Sequence, residues 1–353
     1  LAAATPVTGN ISRVRIFTFD GTPLTELQCN VDRTWAIDTW GTGSLSLSKA
    51  DPKCTAENLR FGNLVLVEHS KLPPWAGIIW PTSNAGRTWS RDVITVTLVG
   101  AEYLLSLRRS ELNKWFEGSA GSIYRQIIAQ GAAQGVWPVR AGRIWSGGNT
   151  LSIWMQANQL SGLVDVLRND TGGEYAFRPI VDANTGRLVF EADWYKQRGA
   201  DTPLLLTEDL NLDDTADDSM IEYGELINDA LVWSTAGSWD EYVTAIGVDK
   251  DSQGLYGLAQ VARFAGGNIP QATLQIQADQ IIADQATTKR EFRLTALDVG
   301  DTFHDLDLGN RLQIELVRYG FNGSSLGASA QARIVAMRFD DLTAKVALTL
   351  QET

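Results

Sequence analysis

The chain has 353 residues, 44% hydrophobic and 20% charged, enough apolar material for several packed cores and too much for global disorder. Its net charge of −12 argues against nucleic-acid binding, which needs clustered Lys and Arg to displace counterions. No apolar run approaches the roughly 20 residues of a membrane helix, and no basic-then-apolar leader opens the chain, whose first residue, Leu1, implies a removed or omitted initiator Met.

The first hundred residues read as β. Residues 13–19 alternate, Val14 and Ile16 against Arg15 and Phe17, before the turn pair Asp20-Gly21. Trp40-Gly41-Thr42-Gly43 leads into 44–48, where Leu45 and Leu47 share a face. Short buried-type runs follow at 64–67 and 78–80, and after the turn-rich Asn84-Ala85-Gly86 the β-branched stretch 93–98 reads as a packed strand. Short strands at this spacing predict a small antiparallel barrel or sandwich.

Near residue 101 the period changes. Apolar residues recur at helical spacing over 101–109 and 122–134, and again over 150–167, which puts Trp154 on an apolar helical face. Asp170-Thr171-Gly172-Gly173 ends that helix, and a hairpin follows at 174–180 and 187–194 around a turn at 182–186. Residues 207–249 hold twelve acids and no Lys or Arg; the 42 acids less these twelve equal the 30 bases, so one segment carries the whole imbalance. Within it, 229–234 and 241–248 read as strands. A mixed stretch at 250–299 has a helix at 278–286, and 311–318, 332–339 and 345–351 are strands, the first two separated by a Gly/Ser-rich loop at 320–329. The end echoes the beginning: Gly62-Asn63, Ile78-Ile79 and 93–98 match Gly309-Asn310, Ile334-Val335 and 346–350 in order.

Reactive chemistry finds little support. Asp170-Thr171-Gly172 spells an aspartic-protease site but has no second copy and follows a helix, and Ser46-Leu47-Ser48-Lys49 alternates like a strand and lacks the companion motifs of a serine acylase. His304 among Asp301, Asp305 and Asp307 reads as a solvated turn. Cys29 and Cys54 read as two free thiols, with one disulfide between them as the alternative, and two histidines are too few for a metal centre, so no catalytic residue, metal or cofactor is expected. The twelve Trp residues read as core and interface anchors, Trp40, Trp75 and Trp80 being the packing or interface candidates, with sugar binding as their rival use. Asp213, Asp214, Asp217 and Asp218 are candidates for an acidic channel wall that repels DNA.

Taken in order, Trp40-Gly41-Thr42-Gly43-Ser44, Asp51-Pro52, Gly62-Asn63, Trp75-Ala76-Gly77-Ile78-Ile79-Trp80, Ser252 with Tyr256-Gly257, and Asp307-Leu308-Gly309-Asn310 form a pattern that resembles the tail-hub proteins of long-tailed phages, relatives of contractile-tail baseplate hubs and secretion spikes. The resemblance covers nearly the whole chain. It implies a mainly β fold with α+β insertions: a first β-barrel at 1–100, an α+β domain at 101–205, a second barrel from 206–248 and 300–353, and a small mixed domain inserted at 249–299. It implies a non-enzymatic homotrimer at the virion tail tip, assembled in the host cytoplasm, that adapts a sixfold tube to a threefold tip and forms or closes the genome channel. Implied partners are the distal tail protein ring, the tape-measure C-terminus and a central fibre or tip protein, with DNA only in transit and no stable membrane insertion. A tail-associated protein that binds or degrades cell walls, and the hub of a phage-like injection particle, are the alternatives.

Overall fold

Alternating apolar residues build the first sheet from β1 (Arg13–Phe17), β2 (Pro23–Leu27), β3 (Asn30–Ala36), β4 (Thr42–Ser48), β5 (Leu64–Glu68), β6 (Trp75–Ile78), β7 (Arg87–Trp89) and β8 (Val93–Gly100). The computed structural model describes residues 12–81, 87–148, 150–155, 158–208, 210–213, 215–216, 218–223, 226–236, 241–287, 289–316 and 328–353. These strands pair antiparallel in the order β2-β1-β5-β6-β8-β4-β3, with β7 beside β8. Val14, Ile16, Leu45, Leu47, Ile94, Val96 and Leu98 supply its buried face.

An α+β module follows a 3-10 turn at Ala101–Leu107: β9 (Lys114–Gly118), α1 (Ala120–Ala133), β10 (Val139–Ile144), β11 (Leu151–Met155), α2 (Leu160–Thr171), β12 (Glu174–Val181) and β13 (Leu188–Tyr195). Ser119 caps α1 by accepting from the Ser122 amide, and α2 ends where Gly172 takes a left-handed conformation at φ 62°. The hairpin read from the sequence is β12–β13. The expected helix over 150–167 is instead strand β11 followed by α2: Trp154 lies in the strand and points to solvent, because Leu151 and Ile153 take the inward positions of a two-residue period.

The remainder comprises β14 (Asp201–Thr207), β15 (Ser219–Tyr223), β16 (Asp229–Thr235), β17 (Tyr242–Val248), α3 (Lys250–Tyr256), β18 (Gln260–Gly267), α4 (Gln271–Gln285), β19 (Lys289–Ala296), β20 (Arg311–Leu316), β21 (Ala328–Asp340) and β22 (Lys345–Glu352). The strands read at 229–248 join no C-terminal sheet. β16 sits between β17 and β18, parallel to the latter, under α4, where Leu274 and Ala278 pack on Val232 and Ala245. The small unit therefore begins near 226 and ends near 287, and β19 returns to the large sheet. A parallel partner arrives only after a crossover, so contiguous alternation misled the reading. Most of the Gly/Ser-rich loop lies outside the described residues.

The large sheet repeats itself. The order β3-β4-β8-β6-β5-β1 recurs as β15-β19-β22-β21-β20-β14, the one difference being that β14 runs parallel to β20 whereas β1 is antiparallel to β5. The turn before the fifth strand of each order, β5 and β20, repeats its hydrogen bonds. Gly62 donates to Ile79 O at 2.8 Å and Ile79 donates back to Asn63 O at 2.9 Å; Gly309 and Ile334, with Asn310, do the same at 2.8 and 2.9 Å. Both glycines hold positive φ, 96° and 85°, and both Asn side chains donate to the carbonyl five residues back, Asn58 and Asp305. The two halves do not close into separate barrels among the described residues. They fuse where the edge strand β3 lies along the part of β21 that extends past β20, from Asp32 opposite Asp340 to Ala36 opposite Ala336, into one 14-stranded sheet.

Trp75 shows why the first half needs its glycines. Its indole lies across Gly43 and Gly77, where an added Cβ would stand 2.8 and 2.4 Å from the ring, and its Nε1 donates to Thr34 O at 2.8 Å. Gly77→Ala is expected to lower unfolding free energy by about 1–3 kcal/mol in urea titrations, while Gly162→Ala, in an open position of α2, raises it by about 0.5–1 kcal/mol. Equal effects at both sites would contradict the packing described.

Candidate functional site

Two buried joints set the geometry of the molecule. The first is at the seam. Arg33 is fully buried, lies between the Trp35 and Phe339 rings at 5.4 and 4.8 Å, and pairs through Nη1 with Asp341 at 3.2 Å. Asp341 also accepts from Ser12 Oγ at 2.6 Å and the Val31 amide at 3.1 Å. His69 meets the Phe339 ring at 5.1 Å, tilted by 59°, and its Nδ1 accepts from the Lys71 and Leu72 amides; burial, then the nearby Arg33 charge, pull its pKa down.

The second joint ties the α+β module to the C-terminal half. Arg333 makes a bidentate pair with Glu174 at 2.7 and 2.6 Å, and also donates to Arg198 O at 2.8 Å and Gly309 O at 3.2 Å. One guanidinium thus grips the start of β12, the linker before β14 and the repeated turn. Gly199 packs so closely that a Cβ would meet the Gly309 carbonyl at 2.0 Å. Beside this joint, a cleft of about 1,100 Å³ opens between the module, the small unit and the C-terminal sheet. Its wall carries Asp38, at φ 61°, with its carbonyl accepting from Arg168 Nη1 at 3.2 Å, and Asp170, accepting from Gln277 Nε2 at 2.8 Å. Charges of both signs line it, Asp38, Asp170 and Glu174 beside Arg168, Lys196 and Arg333.

The residues singled out from the sequence do not converge. Asp213 is only 8% exposed, forms an ion pair with Lys345 and accepts from Thr215 Oγ1 at 2.7 Å, so it lacks the exposure a channel wall requires; the Lys345 contact lowers its carboxyl to about 2. Asp218 is half-buried in a cleft that Trp35 and Arg338 also line, and Asp214 and Asp217 lie outside the described residues. Trp75 is a core anchor rather than an interface residue. Trp40, 41% exposed, meets Tyr103 edge-on at 5.4 Å, and Trp80 meets the same ring at 6.5 Å, a rim cluster at the junction of sheet and module. Asp170-Thr171-Gly172 closes α2, Ser46-Leu47-Ser48 is the end of strand β4 with Lys49 in the turn after it, His304 is exposed in a 3-10 turn, and both thiols are free, with burial lifting Cys29 to about 12. Sequence reasoning missed Arg33, Glu174 and Arg333, whose ion-pair partners lie 308 and 159 residues away.

Removing one partner of a buried pair strands the other charge, so Arg333→Met should cost about 3–5 kcal/mol in urea unfolding; a loss under about 1 kcal/mol would make the joint incidental. Acid behaviour gives a second check. Burial lifts Asp38 to about 6, against the pull of Arg168, and Glu102 to about 7, although its Oε1 accepts from the Phe177 amide at 3.5 Å. Across the window from their ordinary values, 3.8 and 4.5, up to about 7 the native state holds more protons than the unfolded chain, so these two groups make stability fall as pH rises. Glu102→Gln should flatten that fall between about pH 5 and 8 in melting experiments, and a profile parallel to wild type would contradict it.

No protein-family model and no curated protein matches this sequence. Solved structures do. A prophage tail protein from Listeria monocytogenes EGD-e superposes with a TM-score of 0.61 at 10% identity, over 97% of this chain and 94% of that one. A tail protein from Neisseria meningitidis MC58 gives 0.57 at 13% identity, over 97% of each chain. A chain of the Francisella PdpA–VgrG complex gives 0.52 at 8% identity, over 97% of this chain but 52% of that one. At such identities the likeness is one of fold: this chain has a mainly β fold, with small helical insertions, like that of these prophage tail and PdpA–VgrG chains.

Proposed function

We propose that the chain is a non-enzymatic structural protein of a tailed-phage particle, the trimeric hub at the distal end of the tail. The duplicated strand order, fused through β3 and β21, carries this reading. Three copies of a chain with two equivalent sheets offer six similar units, which lets a threefold tip sit on a sixfold tube. The fold likeness to prophage tail proteins over nearly the whole chain supports it. On this reading the partners are the distal tail ring, the tape-measure C-terminus and a central fibre or tip protein, the place is the virion tail tip, and the work is mechanical: matching symmetry and holding or opening the genome channel.

A second reading, the hub of a phage-like injection particle, is favoured by the likeness to the PdpA–VgrG chain and differs only in what is delivered. Sedimentation of the purified chain from about 1 to 100 μM is expected to reveal a three-chain species, and a strict monomer or a dimer would overturn the trimer. Release of sugar or peptide fragments from incubated cell walls would overturn the non-enzymatic reading.

A further inference from the structure

The ribbon β9–β11 has one face the core does not use. Phe116, Leu151 and Ile153 point inward against α1, so the alternation sends Trp115 and Glu117 of β9, and Ser152 and Trp154 of β11, to the outside. Register places Trp154 directly opposite Trp115 and Ser152 directly opposite Glu117. The outer face is therefore a square with an aromatic end and a polar end.

The two indoles lie 6.2 Å apart, tilted by 37°, and remain 56% and 45% exposed although each is large enough to anchor a core. Glu117, Ser152 and, from α1, Gln126 border a cleft of about 520 Å³ beside Trp115. Gln126 Nε2 donates to the Glu117 carbonyl at 2.9 Å, which occupies one of the amide's donors. Among the described residues no hydrogen bond engages the Glu117 carboxylate or the Ser152 hydroxyl.

We propose that this face binds a neutral pyranose unit of a polysaccharide, an activity beyond the hub role. The C–H face of a pyranose carries slight positive charge and suits the negative face of an indole, while its ring hydroxyls both donate and accept. Glu117 and the Gln126 oxygen accept from such hydroxyls, and Ser152 does either. Size points the same way. The cleft falls within the roughly 300–1,000 Å³ of small-ligand sites.

The test is calorimetric titration of the full chain with maltotetraose, cellotetraose and tetra-N-acetylchitotetraose. At least one should bind at millimolar or lower concentration, with Trp115→Ala and Trp154→Ala each weakening it by about tenfold or more and leaving the melting temperature within a few degrees of wild type. Glu117→Gln, which keeps an acceptor, should weaken binding only a few-fold. The proposal is overturned if none of the three binds at about 10 mM, or if binding survives both tryptophan substitutions. It is overturned equally if Trp154→Ala abolishes self-association of the chain, since the face would then be a contact between copies.

Discussion

A sheet edge is a row of backbone donors and acceptors that must find partners, and here β3 and β21 satisfy each other. Everything else in the molecule depends on that seam. It turns two copies of one strand order into a single continuous sheet, so that the N-terminal and C-terminal halves are held in fixed relation rather than tethered. Arg33 makes the arrangement specific. A guanidinium with no exposure is tolerable only with a carboxylate and polarizable rings around it, and Asp341, Trp35 and Phe339 come from both sides of the seam. Misregistered halves would leave that charge without its partner.

The α+β module and the small unit are secondary to this frame. The module is inserted between the two copies of the strand order and is pulled onto the second copy by Arg333, which reads the same Gly-Asn turn that opens the repeat. The two turns are alike in their own hydrogen bonds and unlike in their surroundings: Gly309 is covered by the 198–199 backbone, while nothing lies within 4 Å of a Cβ placed at Gly62. Equivalence of shape with difference of surface is what a repeated unit needs when its two copies face different neighbours.

Much of this was legible in the residues, and the limits are physical. Alternation in 93–98 and the hairpin at 174–194 are local patterns, and both became the strands they announced. The Gly-Asn echo was visible because a positive-φ glycine and an Asn that bonds back to its own turn leave a compact signature. Parallel pairing left none, so β16 and β17 were assigned to the wrong sheet. Trp154 was misread because five residues of strand followed by a helix mimic one longer helical period. The two barrels were implied by the resemblance, and among the described residues the two halves form one continuous sheet instead. The ion pairs at Arg33 and Arg333 depend on which strands meet, which no local spacing encodes. Asp213 looked like a surface acid because its neutralising partner, Lys345, lies 132 residues further on.

The central claim, that the two halves act as equivalent units around a common axis, is tested most directly by a density map of the assembled particle. The account predicts a threefold ring in which the β1–β8 half and the β14–β22 half of each chain alternate around an open or plugged channel, related by rotations near one sixth of a turn. A chain that lies off the axis, or whose two halves occupy unrelated positions about it, would contradict the account.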